Sequence, residues 1–249
     1  LREEEGFQLQ DSFINWLHRD LDVLFLCNPN NPTGISINRD FLFRVLRVCR
    51  ELDILLVVDE CFLDFIEEPE RFTLKAQLSR YHNLFLLKAF TKRYAMPGIR
   101  LGYGITENRE LLEAMTQVTQ PWNISVMAQA AGIAALKESA YVEKGRQMVF
   151  CEAKYLKEEL ASLGMQVYPS EANYIFFRGP ENLFEICAQQ NVLIRDCSNY
   201  SGLRKGFYRV AVRTHEENEQ LIRAIKDGTM AAAVAHAAAL EEEEQDRKS

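Results

Sequence analysis

The front half of the chain carries four short apolar runs, each closed by polar or turn-forming residues. Asp22–Cys27 (DVLFLC) runs into Asn28-Pro-Asn-Asn-Pro-Thr-Gly34, and Ile54–Val58 ends in Asp59-Glu60. Asn83–Leu87 is followed by a basic segment, and Leu101–Ile105 contains glycine. Runs of this length, bounded by turn residues, predict buried strands. Between them, Asn38–Leu52 places Phe41, Val45, Val48 and Leu52 at helical spacing, and Glu107–Val118 reads as a second helix. Strands that are apolar throughout and alternate with helices predict an α/β fold, with a mostly parallel sheet covered on both faces. Such sheets bind ligands at the carboxyl ends of their strands. The polar clusters of this chain fall at those ends.

Ser125–Leu163 is long and helix-rich, and is expected to contain an interdomain helix. Beyond Gly164 the pattern changes. Met165–Tyr168, Tyr174–Arg178, Val192–Arg195 and Tyr208–Val212 are short strand candidates around a helix at Leu183–Gln190. These predict a large domain over 1–150 and a smaller α+β domain over 151–228. The Ala-rich and then Glu-rich tail over 229–249 is expected to be a frayed helix or poorly ordered. No internal repeat is evident.

Composition narrows the classes without choosing among them. The chain has 249 residues, is 47% hydrophobic and carries a formal net charge of −7. The acidic balance and the lack of a basic stripe argue against nucleic acid as a partner. The apolar runs are strand-sized, far short of a membrane span. No apolar signal segment follows Leu1, so a cytoplasmic location is expected. The six cysteines form no Cys-x-x-Cys pair and lack zinc spacing to a histidine, so no metal is expected and reduced thiols are.

Four features carry the candidate chemistry, and each is weak alone. The Asn-Pro-Asn-Asn-Pro-Thr-Gly segment has the composition of an ordinary turn, but an Asn side chain there could donate to a ring oxygen. Asp59 ends a strand, where a carboxylate could keep a heterocyclic nitrogen protonated. Lys92 reads first as a surface lysine in a basic loop. As a nucleophile it needs desolvation or neighbouring cations, and Lys88, Arg93 and Arg100 are candidates. Arg100 could clamp a phosphate bidentately.

Jointly, these features resemble the aspartate-aminotransferase fold type of pyridoxal-phosphate enzymes. Asn31 precedes Asp59 by 28 residues, Asp59 precedes Lys92 by 33, and Arg100 follows Lys92 by eight. Lys88 fails the last interval, because its eighth successor is Met96. The resemblance implies that pyridoxal 5′-phosphate is the cofactor. Asn31 then bonds its 3-oxygen, Asp59 its pyridine nitrogen, Lys92 its carbonyl carbon as an imine, and Arg100 its phosphate.

Within that fold type, several segments resemble the threonine-phosphate decarboxylases of cobalamin biosynthesis. They are Asp59-Glu-Cys-Phe-Leu-Asp-Phe65, Tyr94-Ala-Met-Pro-Gly98, Pro121-Trp-Asn-Ile-Ser125, Leu193–Leu203 and Phe207–Arg213. Histidinol-phosphate aminotransferases usually carry Tyr at the position of Phe62. The resemblance implies decarboxylation of L-threonine O-3-phosphate to (R)-1-amino-2-propanol O-2-phosphate. Arg209 then holds the substrate carboxylate and Arg195 its phosphate, in a homodimeric protein. An aminotransferase acting on histidinol phosphate or a related amino acid is the alternative. Two departures stand out. Ala89 replaces a serine that binds phosphate in many relatives. The relatives' N-terminal segment, with its Gly-rich phosphate turn and ring-stacking aromatic residue, has no counterpart here. The chain is therefore expected to be a truncated piece, and an inactive fragment is the third reading.

Overall fold

The computed structural model describes residues 1–246, with side chains up to Val234 apart from residues 232 and 233. It divides into two compact units, Leu1–Met148 with Ser170–Asn173, and Val149–Pro169 with the chain from Tyr174 onward.

The first unit holds a four-stranded sheet in the order β1-β2-β3-β4, formed by Val23–Cys27, Leu55–Asp59, Leu84–Ala89 and Gly102–Ile105. β1 to β3 are parallel and β4 is antiparallel, so the sheet is mostly parallel, as the apolar runs imply. The first crossover helix, α1 (Arg39–Glu51), is capped by Asn38, whose Oδ1 accepts from the backbone N–H groups of Asp40 and Phe41. Its buried face (Phe41, Leu42, Val45, Leu46, Cys49) packs with Leu26, Leu56, Val58, Leu84 and Leu86 in one apolar cluster. Removing such side chains from water is the main stabilising term.

Two sequence expectations need correction here. Cover on both faces does not extend along β1, where Phe25 is 67% exposed. The third strand does not stop at Leu87. Lys88 and Ala89 continue it, because they pair with Tyr103 and Gly102 of β4. Lys88 is therefore a strand residue, and the loop begins later. A single helical turn, α2 (Phe90–Arg93), follows at once. α3 (Arg109–Val118) is capped by Asn108, and α4 (Val126–Ala135) by Ser125. α5 (Ser139–Ser162) crosses the division between the units.

The second unit holds a wholly antiparallel sheet in the order β5-β6-β8-β7. Its strands are β5 (Gln166–Val167), β6 (Tyr174–Arg178), β7 (Arg195–Asp196) and β8 (Phe207–Ala211). Phe176, Phe177, Phe207 and Tyr208 are fully buried in it. α6 (Leu183–Gln189) precedes β7. The strand expected over Val192–Arg195 is shorter and lies later. Asn191, at φ 59°, and Val192 close the end of α6 instead, with Val192 N–H donating to the Cys187 carbonyl. The last helix, α7, spans His215–Asp246. The tail expected from 229 is thus helical in backbone to Asp246, and its final three residues lie outside the described ones.

Candidate active site

Parallel β-strands bring sequence-distant segments to one edge of a sheet, and that edge holds three of the sequence-derived candidates. Cys27, the last residue of β1, is the register partner of Asp59, the last residue of β2. Asp59 in turn pairs with Leu87 on β3. Asn31 lies four residues beyond Cys27, and Lys92 lies three residues beyond the end of β3.

The loop carrying Asn31 is fixed from within. Asn28 is fully buried, its Oδ1 accepting from Ile37 N–H at 2.9 Å and its Nδ2 donating to the Phe72 carbonyl at 2.9 Å. Gly34 sits at φ 71°, and a Cβ there would fall 1.8 Å from Ser170 Oγ. Only glycine fits both the backbone conformation and that approach.

Asp59 is partly buried, and its Oδ1 accepts from Cys61 N–H at 2.9 Å. Partial burial above all pushes the Cys61 thiol up, to about 12, and the Asp59 carboxylate adds to the rise. An anion at this strand end is therefore felt by its neighbour. A protonated heterocyclic nitrogen is the kind of partner such an anion suits.

Lys92 is exposed, and its Nζ lies 5.5 Å from the centre of the Phe62 ring. Among the described residues it has no ion pair. The cations offered as its neighbours are engaged elsewhere. Lys88 Nζ is 2.9 Å from Glu60 Oε2, Arg93 pairs with Asp64 at 2.5 Å, and Arg100 donates to the Pro97 carbonyl at 3.0 Å. Arg100 itself is exposed and sits at φ 57°, a left-handed conformation that costs a non-glycine residue about 1 kcal/mol or more. It is tied to the end of β3 through the Phe90 N–H, which donates to the Leu101 carbonyl at 3.1 Å.

The geometry adds a second reason to set Lys88 aside. Asp59 and Leu87 are register partners, and Glu60 N–H continues the ladder to the Leu87 carbonyl at 3.0 Å. Side chains alternate across a strand, so Lys88 and Glu60 lie on the face opposite Asp59. Sequence reasoning missed Glu60 as a partner altogether. Its signal was a second carboxylate directly after a strand-ending one.

In the second unit, Arg195 and Arg209 are register partners on β7 and β8. Directly opposed residues of an antiparallel pair share a face. Arg195 also donates to Asn199 Oδ1 at 3.0 Å, and Arg209 lies 5.0 Å from the centre of the Tyr174 ring. Burial raises the Cys197 thiol to about 11, against the pull of both guanidiniums, Arg209 first. Like charges set opposite one another destabilise a ladder, and a bound anion would offset that.

The donor set suits pyridoxal phosphate at the first unit's strand ends. It offers a carboxylate for the ring nitrogen, a lysine amine with no ion pair among the described residues, and an amide-bearing loop alongside. Comparison with known proteins agrees. The chain is 36% identical over 231 residues to the threonine-phosphate decarboxylase of Salmonella typhimurium, covering 91% of this chain and 63% of that protein. It is 30% identical over 224 residues to a histidinol-phosphate aminotransferase of Methanosphaera stadtmanae, covering 87% and 59%. The solved histidinol-phosphate aminotransferase of Clostridium acetobutylicum superposes with a TM-score of 0.79 at 34% identity, covering 84% of this chain and 64% of that one. The L-threonine-O-3-phosphate decarboxylase of Porphyromonas gingivalis superposes with a TM-score of 0.72 at 25% identity, covering 83% and 64%. The chain thus spans a little under two thirds of the length of these relatives. Residues 7–225 match the family described as Aminotransferase class I and II, so the chain belongs to that pyridoxal-phosphate-dependent family.

Proposed function

We propose that this protein is a pyridoxal-phosphate-dependent decarboxylase of L-threonine O-3-phosphate, forming (R)-1-amino-2-propanol O-2-phosphate for cobalamin biosynthesis. The observation that carries the reading is the pairing of strand ends that sets Asp59 beside the Asn31 loop and ahead of Lys92. Phe62 beside Lys92 supports the decarboxylase side, because it has no phenol to offer the cofactor oxygen. The 36% identity to the Salmonella typhimurium decarboxylase supports it too.

When bound, the cofactor supplies an electron sink for the pair left behind by departing CO₂. The chain's residues do the rest. Asp59 would face the heterocyclic nitrogen and favour its protonated form. Asn31 would donate to the ring oxygen. Arg100 holds the phosphate. Lys92 would hold the cofactor through its amine and would be the group that hands a proton to Cα. Arg209 takes the substrate carboxylate and Arg195 its phosphate, since a phospho-amino acid has two anionic ends and needs two cationic sockets. The protein is proposed to be a cytoplasmic homodimer. No helix among the described residues is long and apolar enough to cross a membrane.

The identity to histidinol-phosphate aminotransferases favours a second reading, amino transfer at the same residues. One assay separates them. Incubation with threonine phosphate and pyridoxal phosphate is expected to release CO₂ without consuming an oxo acid. Consumption of 2-oxoglutarate in place of CO₂ release rejects the decarboxylase. Absence of both, with no borohydride-reducible absorbance band, rejects both enzymatic readings for this chain.

A further inference from the structure

Glu60 is fully buried, and its carboxylate has three contacts: Thr73 Oγ1 donates to Oε1 at 2.8 Å and to Oε2 at 3.0 Å, and Lys88 Nζ lies 2.9 Å from Oε2. Lys88 is nearly buried too, with 15% of its side chain exposed. Burying two opposite charges is seldom a gain in stability over a well-packed apolar pair, because desolvation offsets the attraction. Holding β2 to β3 does not require it, since the parallel ladder and the apolar cluster beneath already do so. The pair's position is what sets it apart. Glu60 follows Asp59 directly, Lys88 lies four residues before Lys92, and both are on the face opposite Asp59.

The geometry points to Glu60 and Lys88 as positioning residues that balance charge beneath the cofactor, so that neither biases protonation of its nitrogens, the ring nitrogen proposed to face Asp59 and the one supplied by Lys92. This rests on the functional reading above. Glu60 alone would add a second anion next to Asp59. Lys88 alone would place a cation under the strand ends where a positively charged nitrogen must form. Together they are neutral and fixed, with Thr73 as the second partner that holds the carboxylate. The reach of Lys88 is visible at Cys61, the residue whose N–H bonds Asp59, where its charge pulls the thiol downward against burial.

The test is a pH titration of the borohydride-reducible band of the pyridoxal-phosphate-loaded protein, with Lys92→Ala as the control that removes the band. Glu60→Gln keeps the shape and the Thr73 contact but leaves Lys88 positive. It is expected to lower the pKa of the band by about one unit, because an uncompensated cation disfavours a protonated nitrogen. Glu60→Gln with Lys88→Met removes both charges and is expected to bring the pKa back to within about a third of a unit. A merely structural role predicts the reverse order, with the double variant disturbed at least as far as the single one. Should Glu60→Gln fail to fold, Lys88→Met replaces it and the expected shift is upward. A band that does not move, or a double variant that moves as far as the single one, overturns the inference while leaving the functional reading intact. An unmutated protein with no Lys92-dependent band overturns the functional reading first, and this inference with it.

Discussion

The two sheets of this protein offer candidate residues in different ways. In the first, Asn31, Asp59 and Lys92 stand at or beyond strand ends, gathered because three parallel strands finish at one edge. In the second, Arg195 and Arg209 lie within the ladder itself, brought opposite one another by antiparallel register. A parallel sheet collects loops, and loops can present amines and carboxylates to a cofactor from one direction. An antiparallel sheet presents a face, which suits fixed charges that only bind. The contrast divides the labour of the proposed reaction: bond-making groups at strand ends, anion sockets on a sheet face.

Substitution at Lys92 tests that division most severely. Lys92→Ala is expected to abolish the reducible absorbance band and to lower kcat on the order of 10³-fold or more, since it removes the group proposed to carry the cofactor and move the proton. Steady-state kinetics with threonine phosphate would show it. A variant that keeps kcat and changes only KM would place Lys92 among the binding groups and erase the distinction between the two sheets.

Arg209→Ala comes next. Losing one charge-assisted contact to a substrate anion costs about 1.5–3 kcal/mol, which is roughly 10- to 150-fold. The loss is expected mainly in KM for threonine phosphate, with the cofactor band unchanged. Arg209→Lys should recover only part of it, because an ammonium cannot make the bidentate contact. A kcat loss matching that of Lys92→Ala would show that the sheet face takes part in the bond-making step.

How far the sequence revealed this arrangement depends on which periodicity carried the signal. The strand-sized runs ending at Cys27, Val58 and Leu87 located the parallel strands to within two residues, because short apolar segments bounded by turn residues have few other uses. The intervals among Asn31, Asp59, Lys92 and Arg100 pointed to the cofactor class through resemblance, and the family match agrees. What the sequence hid was pairwise. That Lys88 belongs to β3 depends on Tyr103, and that Glu60 neutralises it depends on register between strands distant in sequence. Neither is a local property. β7 was misplaced for a local reason: Val192 is apolar enough to read as strand, but its N–H closes the end of α6.

Buried thiols extend the comparison to pH. Burial raises Cys49 in the first unit, and Cys187 and Cys197 in the second, to about 11 from an ordinary value of 9.0. Cys61 rises further, to about 12, with help from Asp59. A folded pKa above the unfolded one means that the folded state holds the proton longer. Stability from these groups is therefore complete below pH 9.0 and declines as pH climbs through about 11 and 12. Urea unfolding midpoints are expected to fall steadily from pH 8.5 to about 11. Arg209→Ala should raise Cys197 further, since that guanidinium opposes the effect of burial, whereas at Cys61 the cation that opposes it is Lys88. A midpoint that rises over this range would contradict the burial of these thiols.

The smallest effect separates two asparagines of similar place in the chain. Asn38 and Asn182 each stand immediately before a helix, α1 in the first unit and α6 in the second. Asn38 Oδ1 accepts from two N–H groups of the first turn, at 2.9 and 3.2 Å, and so satisfies donors that the helix cannot. Asn182 makes no side-chain cap bond. Asn38→Ala is expected to cost about 1 kcal/mol in urea unfolding, with Asn38→Asp nearly neutral. Asn182→Ala should stay within about 0.5 kcal/mol of the parent, as surface changes without a lost contact do. The measurement is worth making on both, because α1 supplies the apolar face under β1 to β3, and loosening its first turn loosens Phe41 and Leu42 beneath the strand that ends at Asp59 and the one that leads to Lys92. Equal costs at the two sites would mean that helix propensity, and not the cap bond, sets the stability of these entries into helix.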